Sequence, residues 1–444
     1  MERSVLAGTN TLVLYNERET FTGTLYEHLS AFARYSQARV FFAHQLDNEP
    51  VSDFALFDTV VIHYSVRLPF NQIAEETAQA LEGFAGLKVL FIQDEYDHTH
   101  RAWYWMKRLG IHLVFSSVPA ESLTKVYPPD QLPGIRFVSN LTGYAPDGLA
   151  AVPAQPPPSE RPLKIGYRGR PLPIRYGALG REKVEIGRMV KAYCESAGIA
   201  HDIEWAESAR LYGDAWTEFI ASCRAMLGTE SGSNVFDWDG TLPGRIVEYK
   251  QRHPGVSDDD LYTALIAPLD HPGLMNQVSA RVFEAIACRT PLVLFEGRYS
   301  GVVIPDRHFI PLRKDGSNLP EIVERLKDGR ELDAMTERAY DEVLRTGRYG
   351  HEAFVRMVDD AFASEIKRRG GDVGRHRVAP VSGRPLITRS WPNRVAITKP
   401  ASVIMTHVPE PVYYGIIRPL LPLLPRGLKD LVKRVARAWT RRPA

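Results

Sequence analysis

Cysteine is scarce. The three present, Cys194, Cys223 and Cys288, form no C-x-x-C pair and cannot all pair with one another. They read as small buried residues of a reducing compartment rather than as a disulfide framework. Long apolar runs are missing too, and none approaches the roughly 18 residues of a spanning helix. The chain reaches Asn10-Thr11-Leu12 without a basic segment followed by a long apolar core, so no secretory signal is expected. Charge of one sign is not in excess: the net charge is +2, which gives no overall reason to expect nucleic acid as a partner. No period of 20–50 residues repeats, which excludes a solenoid. Neither a P-loop nor the G-x-G-x-x-G dinucleotide fingerprint occurs.

What is present is ordinary globular composition, 44% hydrophobic and 24% charged over 444 residues. That length predicts two domains plus extras. The first third alternates strands and helices. Apolar runs at 11–16, 38–44, 58–64, 87–94, 111–117 and 135–139 suit strands covered on both faces, hence a parallel sheet. Helical patterns at 25–36, 73–85 and 119–126 lie between them. Residues 146–162 carry prolines at 146, 153, 156, 157, 158 and 162, so they read as an interdomain linker. The alternation restarts with a strand at 163–169 and a helix at 185–198. A strand at 201–205, a helix at 214–225 and a strand from 226 follow. The helix and strand of 279–297, a short strand at 308–312 and a long helical region at 331–369 complete the series. The expected fold is α/β: two doubly wound Rossmann-like domains, 1–145 and 163–369, with a tail at 370–444.

Ligands of such sheets bind outside the carboxyl ends of the strands, so residues just after strands are the candidates. The loop after Lys164–Gly169 carries Arg168, Arg170, Arg175, Arg181 and Lys183 among glycines. Its reading is either a solvated basic loop or a phosphate-binding one, and Arg168 and Lys183 are the preferred phosphate contacts. Glu230, Ser231, Gly232, Ser233 and Asn234 form a polar turn after the next strand. Asp237 and Asp239 make a D-x-D pair, weighed as a metal site and set aside. In the first domain, Asp94 and Glu95 are candidate general bases for an acceptor hydroxyl, with His63 and His98 weaker ones. Tyr96, Trp103, Tyr104 and Trp105 suit either a sugar platform or helix packing.

The stretch Ser279-Ala280-Arg281-Val282-Phe283-Glu284 starts a helix that feeds a buried strand. Glu284 falls in its first turns, near the positive end of the helix dipole. A carboxylate there can accept hydrogen bonds from a diol.

The whole stretch, SARVFEAIACRTPLVLFEG, resembles the P-x-x-x-E-A-x-A-C-G-x-P-V-V signature of group 1 glycosyltransferases with the GT-B fold. The wider second domain, about residues 163–365, resembles glycosyltransferase-like proteins of polysaccharide gene clusters. The resemblance implies that Glu284 binds a nucleotide ribose, with Arg168, Lys183, Ser231, Ser279 and Arg281 around a nucleoside diphosphate sugar. That donor is a substrate, and no cofactor or metal is expected. The signature departs at Arg289, where the family has glycine. At Asn276 the retaining members carry a second glutamate, a carboxylate that Glu230 can supply from a neighbouring loop. The implied acceptor is a glycan or a lipid-linked molecule. An epimerase of the same architecture and a catalytically silent scaffold are the rival readings.

At the far end, Leu428, Leu431, Val432, Val435 and Trp439 share one helical face, and Lys429, Lys433, Arg434, Arg437, Arg441 and Arg442 take the rest. Residues 426–442 thus read as a basic amphipathic helix suited to an anionic membrane surface. The expected location is cytoplasmic, on the inner face of the cell membrane.

Overall fold

The computed structural model describes residues 5–16, 23–44, 51, 53–152 and 155–370. The amphipathic segment expected at 426–442 lies outside them. The first sheet is built from β1 (Asn10–Tyr15), β2 (Arg39–His44), β3 (Thr59–Ile62), β4 (Leu87–Ile92), β5 (Leu113–Ser116) and β6 (Arg136–Ser139). Between them run α1 (Gly23–Tyr35), α2 (Glu75–Gly83), α3 (Thr99–Leu109) and α4 (Leu123–Val126). All pairs are parallel, in the order β2-β1-β3-β4-β5-β6. The order reverses between β1 and β3, which is the switch point of this sheet.

The second sheet holds β7 (Lys164–Arg168), β8 (Ala200–Glu204), β9 (Ala225–Gly228), β10 (Leu292–Phe295) and β11 (Ile310–Leu312). It is also parallel, ordered β11-β10-β9-β7-β8, with its switch point between β7 and β9. Its helices are α5 (Gly177–Ala197), α6 (Asp214–Ser222), α7 (Leu242–Arg252), α8 (Asp258–Leu261), α9 (Ala280–Ala287), α10 (Leu319–Lys327) and α11 (Gly329–Ala339). A final helix, α12 (His351–Arg368), follows.

Burial explains the uninterrupted apolar runs. Along β1, Leu12 and Leu14 enter one core and Val13 enters another on the opposite face; Val60 and Val61 of β3 divide the same way. The second sheet repeats this: Leu292 and Leu294 pack under α9, while Val293 and Phe295 face α5, α10 and α11. Period-two alternation disappears because neither face meets water.

Two expectations need correction. The helix expected at 185–198 begins at Gly177, so Arg181 and Lys183 ride on α5 rather than on a loop. Its first turn is closed by Asp270, whose Oδ2 accepts from the Ala178 N–H at 2.7 Å and from the Tyr262 hydroxyl at 3.0 Å. The proline-rich segment, expected as an interdomain linker, is in addition pinned to the second domain. The buried Arg161 guanidinium donates to the carbonyls of Pro156, Cys223 and Cys288 and to Thr290 Oγ1. The region 331–369 does not all close the second domain. Beyond Gly347 and Gly350, α12 crosses back and packs Phe354, Val355, Val358 and Phe362 into the core of the first sheet. Asp359 there accepts from Ser36 Oγ at 2.8 Å and from the Gln37 N–H at 2.7 Å.

Candidate functional site

The two domains meet along the carboxyl ends of both sheets. Gln277 donates to the Ser117 carbonyl, Thr142 Oγ1 to the Val278 carbonyl at 3.1 Å, and the Asp237 N–H to the Tyr96 carbonyl at 2.8 Å. Arg175 pairs with Asp97 across the same seam, with both side chains nearly buried. Arg298 pairs with Glu121 at 2.9 Å further out.

At the switch point of the second sheet, two cations converge. Lys183 Nζ, on the second turn of α5, donates to the Glu230 carbonyl and to Ser231 Oγ, each at 3.2 Å. Arg281, at the start of α9, donates to the Arg168 carbonyl at the end of β7. Its guanidinium lies 4.8 Å from the Tyr167 ring centre and 5.5 Å from that of Trp216. The Arg281 Nε is buried without a partner. Burial, and then the positive charge of Arg281, bring the Lys183 ammonium down to about 8. Two half-buried cations held by carbonyls and a hydroxyl, rather than by carboxylates, leave net positive charge for an anionic ligand. Ser279 precedes α9 and makes no side-chain cap, so the first N–H groups of that helix are not taken by its hydroxyl.

Glu284 sits on α9 half-exposed, with Oε2 accepting from Trp216 Nε1 at 2.8 Å. Lys183, Ser231, Ser279, Arg281 and Glu284 therefore occupy neighbouring elements at one end of the sheet. Arg168 is a correction. Its guanidinium is spent on the Ala209 and Asp202 carbonyls at 2.9 Å, on Asp202 Oδ1 at 2.8 Å and on the face of Phe219. It fastens β7 to β8 and is not free to meet phosphate. Arg175 and Arg181 are likewise paired, with Asp97 and Asp259. Arg170 is exposed and has no ion pair among the described residues, and its charge also acts on Lys183.

Glu230 is the second correction. It is buried, and its carboxylate takes the N–H groups of Arg298 at 3.2 Å and Tyr299 at 2.8 Å and the Asn276 amide at 2.6 Å. The side chain shapes the loop after β10 and is not available to take a substrate proton. Asn276, noticed in the sequence only as a departure, supplies one of those donors. Glu95 is the third. It is fully buried, with Oε1 accepting from Ser116 Oγ at 2.8 Å and the Ser117 N–H at 2.7 Å. Burial pushes its carboxyl up to about 7, and an acceptor cannot reach it.

Asp94 is placed differently. It is exposed just beyond β4, at φ 56°, a left-handed conformation that a non-glycine residue rarely holds. Among the described residues, only the Tyr96 hydroxyl, at 2.7 Å, engages its Oδ1. Of the aromatic residues, Trp105 is buried and donates to Asn71 at 2.9 Å, and Trp103 stacks edge-on to Trp238 across the seam. These are packing roles, whereas Tyr104 is exposed. His63 is buried against His28. Asp237 and Asp239 are occupied at the start of α7: one accepts from the Leu242 N–H, the other from Thr241. Among the described residues no group of three or more His, Cys, Asp or Glu is placed to hold a metal ion, and no helix is long and apolar enough to cross a membrane.

The architecture is thus two facing Rossmann-like domains with a closing helix that returns to the first, the GT-B arrangement. No protein-family model matches the chain. No curated protein matches it either. Solved structures are similar to the chain at low identity. An alpha-glucosyltransferase in complex with UDP and a 13-mer DNA is 11% identical, with a TM-score of 0.44 over 80% of this chain and 99% of that one. The Anabaena protein HepE in complex with UDP is 10% identical, with a TM-score of 0.44 over 80% of this chain and 100% of that one. A UDP-forming α,α-trehalose-phosphate synthase from Burkholderia xenovorans is 10% identical, with a TM-score of 0.43 over 81% and 98%.

Proposed function

We propose that the protein is a glycosyltransferase that moves a sugar from a nucleoside diphosphate sugar to an acceptor hydroxyl. The observation that carries this reading is the convergence of Lys183 and Arg281 at the switch point of the second sheet, with Asp94 exposed beyond β4 of the first in a left-handed conformation. In this reading the two cations and the open start of α9 stabilise the departing diphosphate without a metal. Glu284 accepts from the ribose hydroxyls. Asp94 orients the acceptor hydroxyl and takes its proton, and the bond from sugar to diphosphate breaks as the new glycosidic bond forms. The acceptor is a glycan or a lipid-linked molecule of surface polysaccharide synthesis. The tail at 426–442 holds the enzyme on the inner face of the cell membrane.

Incubation with a panel of nucleoside diphosphate sugars tests the reading. Free nucleoside diphosphate is expected to appear when a glycan acceptor is added, to persist in a chelator, and to vanish in Asp94→Asn. An epimerase converts the sugar nucleotide without releasing nucleotide. A silent scaffold releases none and converts none.

A further inference from the structure

The first domain carries a recess that the donor chemistry does not use. It opens at the carboxyl ends of β3 and β4, with Tyr64, Val66, Arg67, Phe70, Ile92 and Gln93 among the residues lining it. Its walls mix apolar side chains with the polar Tyr64, Arg67 and Gln93. There the Arg67 guanidinium lies 4.0 Å from the centre of the Phe70 ring. Arg101, on the first turn of α3, donates to the carbonyl of Pro69, which also lines the recess. Both side chains are half-buried, and neither has a carboxylate partner among the described residues. Most other arginines near the seam are matched: Arg175 with Asp97, Arg181 with Asp259, Arg298 with Glu121. The recess adjoins Asp94, whose charge acts on the Tyr64 hydroxyl. It also adjoins the seam, because Phe70 stands edge-on to His98 and His98 packs on Gly240.

We propose that Arg67 and Arg101 bind a phosphate group on the acceptor, so that the acceptor is a phosphorylated sugar or a lipid-linked sugar phosphate. This rests on the transferase reading. Half-buried guanidinium groups without counter-ions keep a standing demand for an anion, and two of them match the charge of a phosphate monoester. Phe70 holds the Arg67 guanidinium over its ring, 4.0 Å from the centre, which limits the freedom of its donors. The nearby carboxylate of Asp94 then faces a hydroxyl of the same acceptor, with the phosphate as the anchor that sets the distance.

Arginine footprinting tests this without activity. The full chain is treated with phenylglyoxal in the presence of glucose, glucose 6-phosphate or undecaprenyl phosphate in detergent micelles, and modification is read peptide by peptide. A phosphate probe is expected to protect Arg67 and Arg101 several-fold, where glucose does not. Protection by the soluble probe identifies a sugar phosphate acceptor, and protection by the micellar probe alone identifies the lipid source. The variant R67Q/R101Q is expected to bind the protecting probe roughly tenfold more weakly while its UDP affinity stays unchanged. The proposal is overturned if neither phosphate probe protects, if glucose protects equally, or if Lys183→Ala rather than R67Q/R101Q abolishes protection. Phosphate protection of Arg67 in a protein that binds no nucleoside diphosphate leaves the anion site standing and removes the transferase reading.

Discussion

At the scale of single residues, charge partners decide what each side chain is free to do. Lys183 and Arg168 are both cations after β7, yet only Lys183 is held without a carboxylate. Lys183→Ala is expected to weaken nucleoside diphosphate binding by about 1.5–3 kcal/mol, the usual loss for a charge-assisted hydrogen bond, with little effect on the bare nucleoside. Arg168→Ala is expected to lower the thermal midpoint and leave diphosphate affinity nearly intact; calorimetry on both variants separates the two. Because the Lys183 ammonium titrates at about 8, diphosphate affinity of the free enzyme should fall as pH rises through 8, where the cation is lost.

Buried groups set a second pH dependence. His28 and His63 lie 3.1 Å apart, nitrogen to nitrogen. Burial pushes His28 down to about 3 and His63 well below its ordinary value. The folded state refuses protons that the unfolded chain accepts below about 6.5, so stability falls as pH drops from 6.5 toward 3. Glu95 acts in the opposite sense. Its raised carboxyl favours the folded state below about 4.5, and that contribution is lost as pH rises through about 7. Denaturant midpoints measured from pH 4 to 8 should show a steeper acid limb than neutral limb. Glu95→Gln should remove the opposing slope between about 4.5 and 7, which steepens the loss of stability on acidification there and flattens the curve near neutrality. None of this is legible in sequence, because the spacing of His28, His63 and Glu95 says nothing about which of them water can reach.

At the scale of elements, the sequence was most legible where burial is two-sided. The central strands of both sheets are announced by apolar runs, because a strand covered on both faces admits almost no polar residue; the edge strand β8, AHDIE, is not. The runs overshoot at the carboxyl ends: the strand expected at 58–64 stops at Ile62 and that expected at 87–94 stops at Ile92. Those extra residues, among them His63, Tyr64 and Asp94, form the turns at the carboxyl ends of β3 and β4. The start of α5 was missed because Gly177 and Gly180 look like loop residues. Gly177 holds φ 68° and sits so close to Asp270 and Val235 that a Cβ would strike both. The capping carboxylate comes from 92 positions later, beyond the reach of any local rule. The Arg161 anchor is equally non-local. Arg161→Leu is expected to cost about 3 kcal/mol, since several buried acceptors lose a charged donor at once, and urea unfolding measures it.

At the scale of the whole molecule, the two-domain plan follows from the two strand–helix series and the proline-rich segment between them. How the domains face one another does not, because the contacts across the seam join residues far apart in the chain, 78 positions for Arg175 and Asp97 and 160 for Gln277 and Ser117. Asn276 and Glu230 make the point within one domain: the signature located the position, and only the fold shows that amide and carboxylate meet. The crossing of α12 was hidden for the same reason, since an amphipathic helix does not state which domain it covers. Phe354→Ala removes a ring packed against His28, Phe32 and Tyr144. It is expected to cost about 3–5 kcal/mol, and hydrogen exchange should then rise in the first sheet before the second.

That crossing also orders events on the ribosome. The six strands of the first sheet have been synthesised by Ser139, yet Phe354, Val358 and Phe362, which cover one of its faces, come more than two hundred residues later. At about 5–20 residues per second, the nascent first sheet waits roughly 10–40 s with an apolar face open. The second domain lacks only the helix-return contact and can close around its own core first. Through that interval the cell therefore meets this protein as a complete first sheet with one apolar face uncovered and a second domain still emerging, the form in which a chaperone has the most to hold.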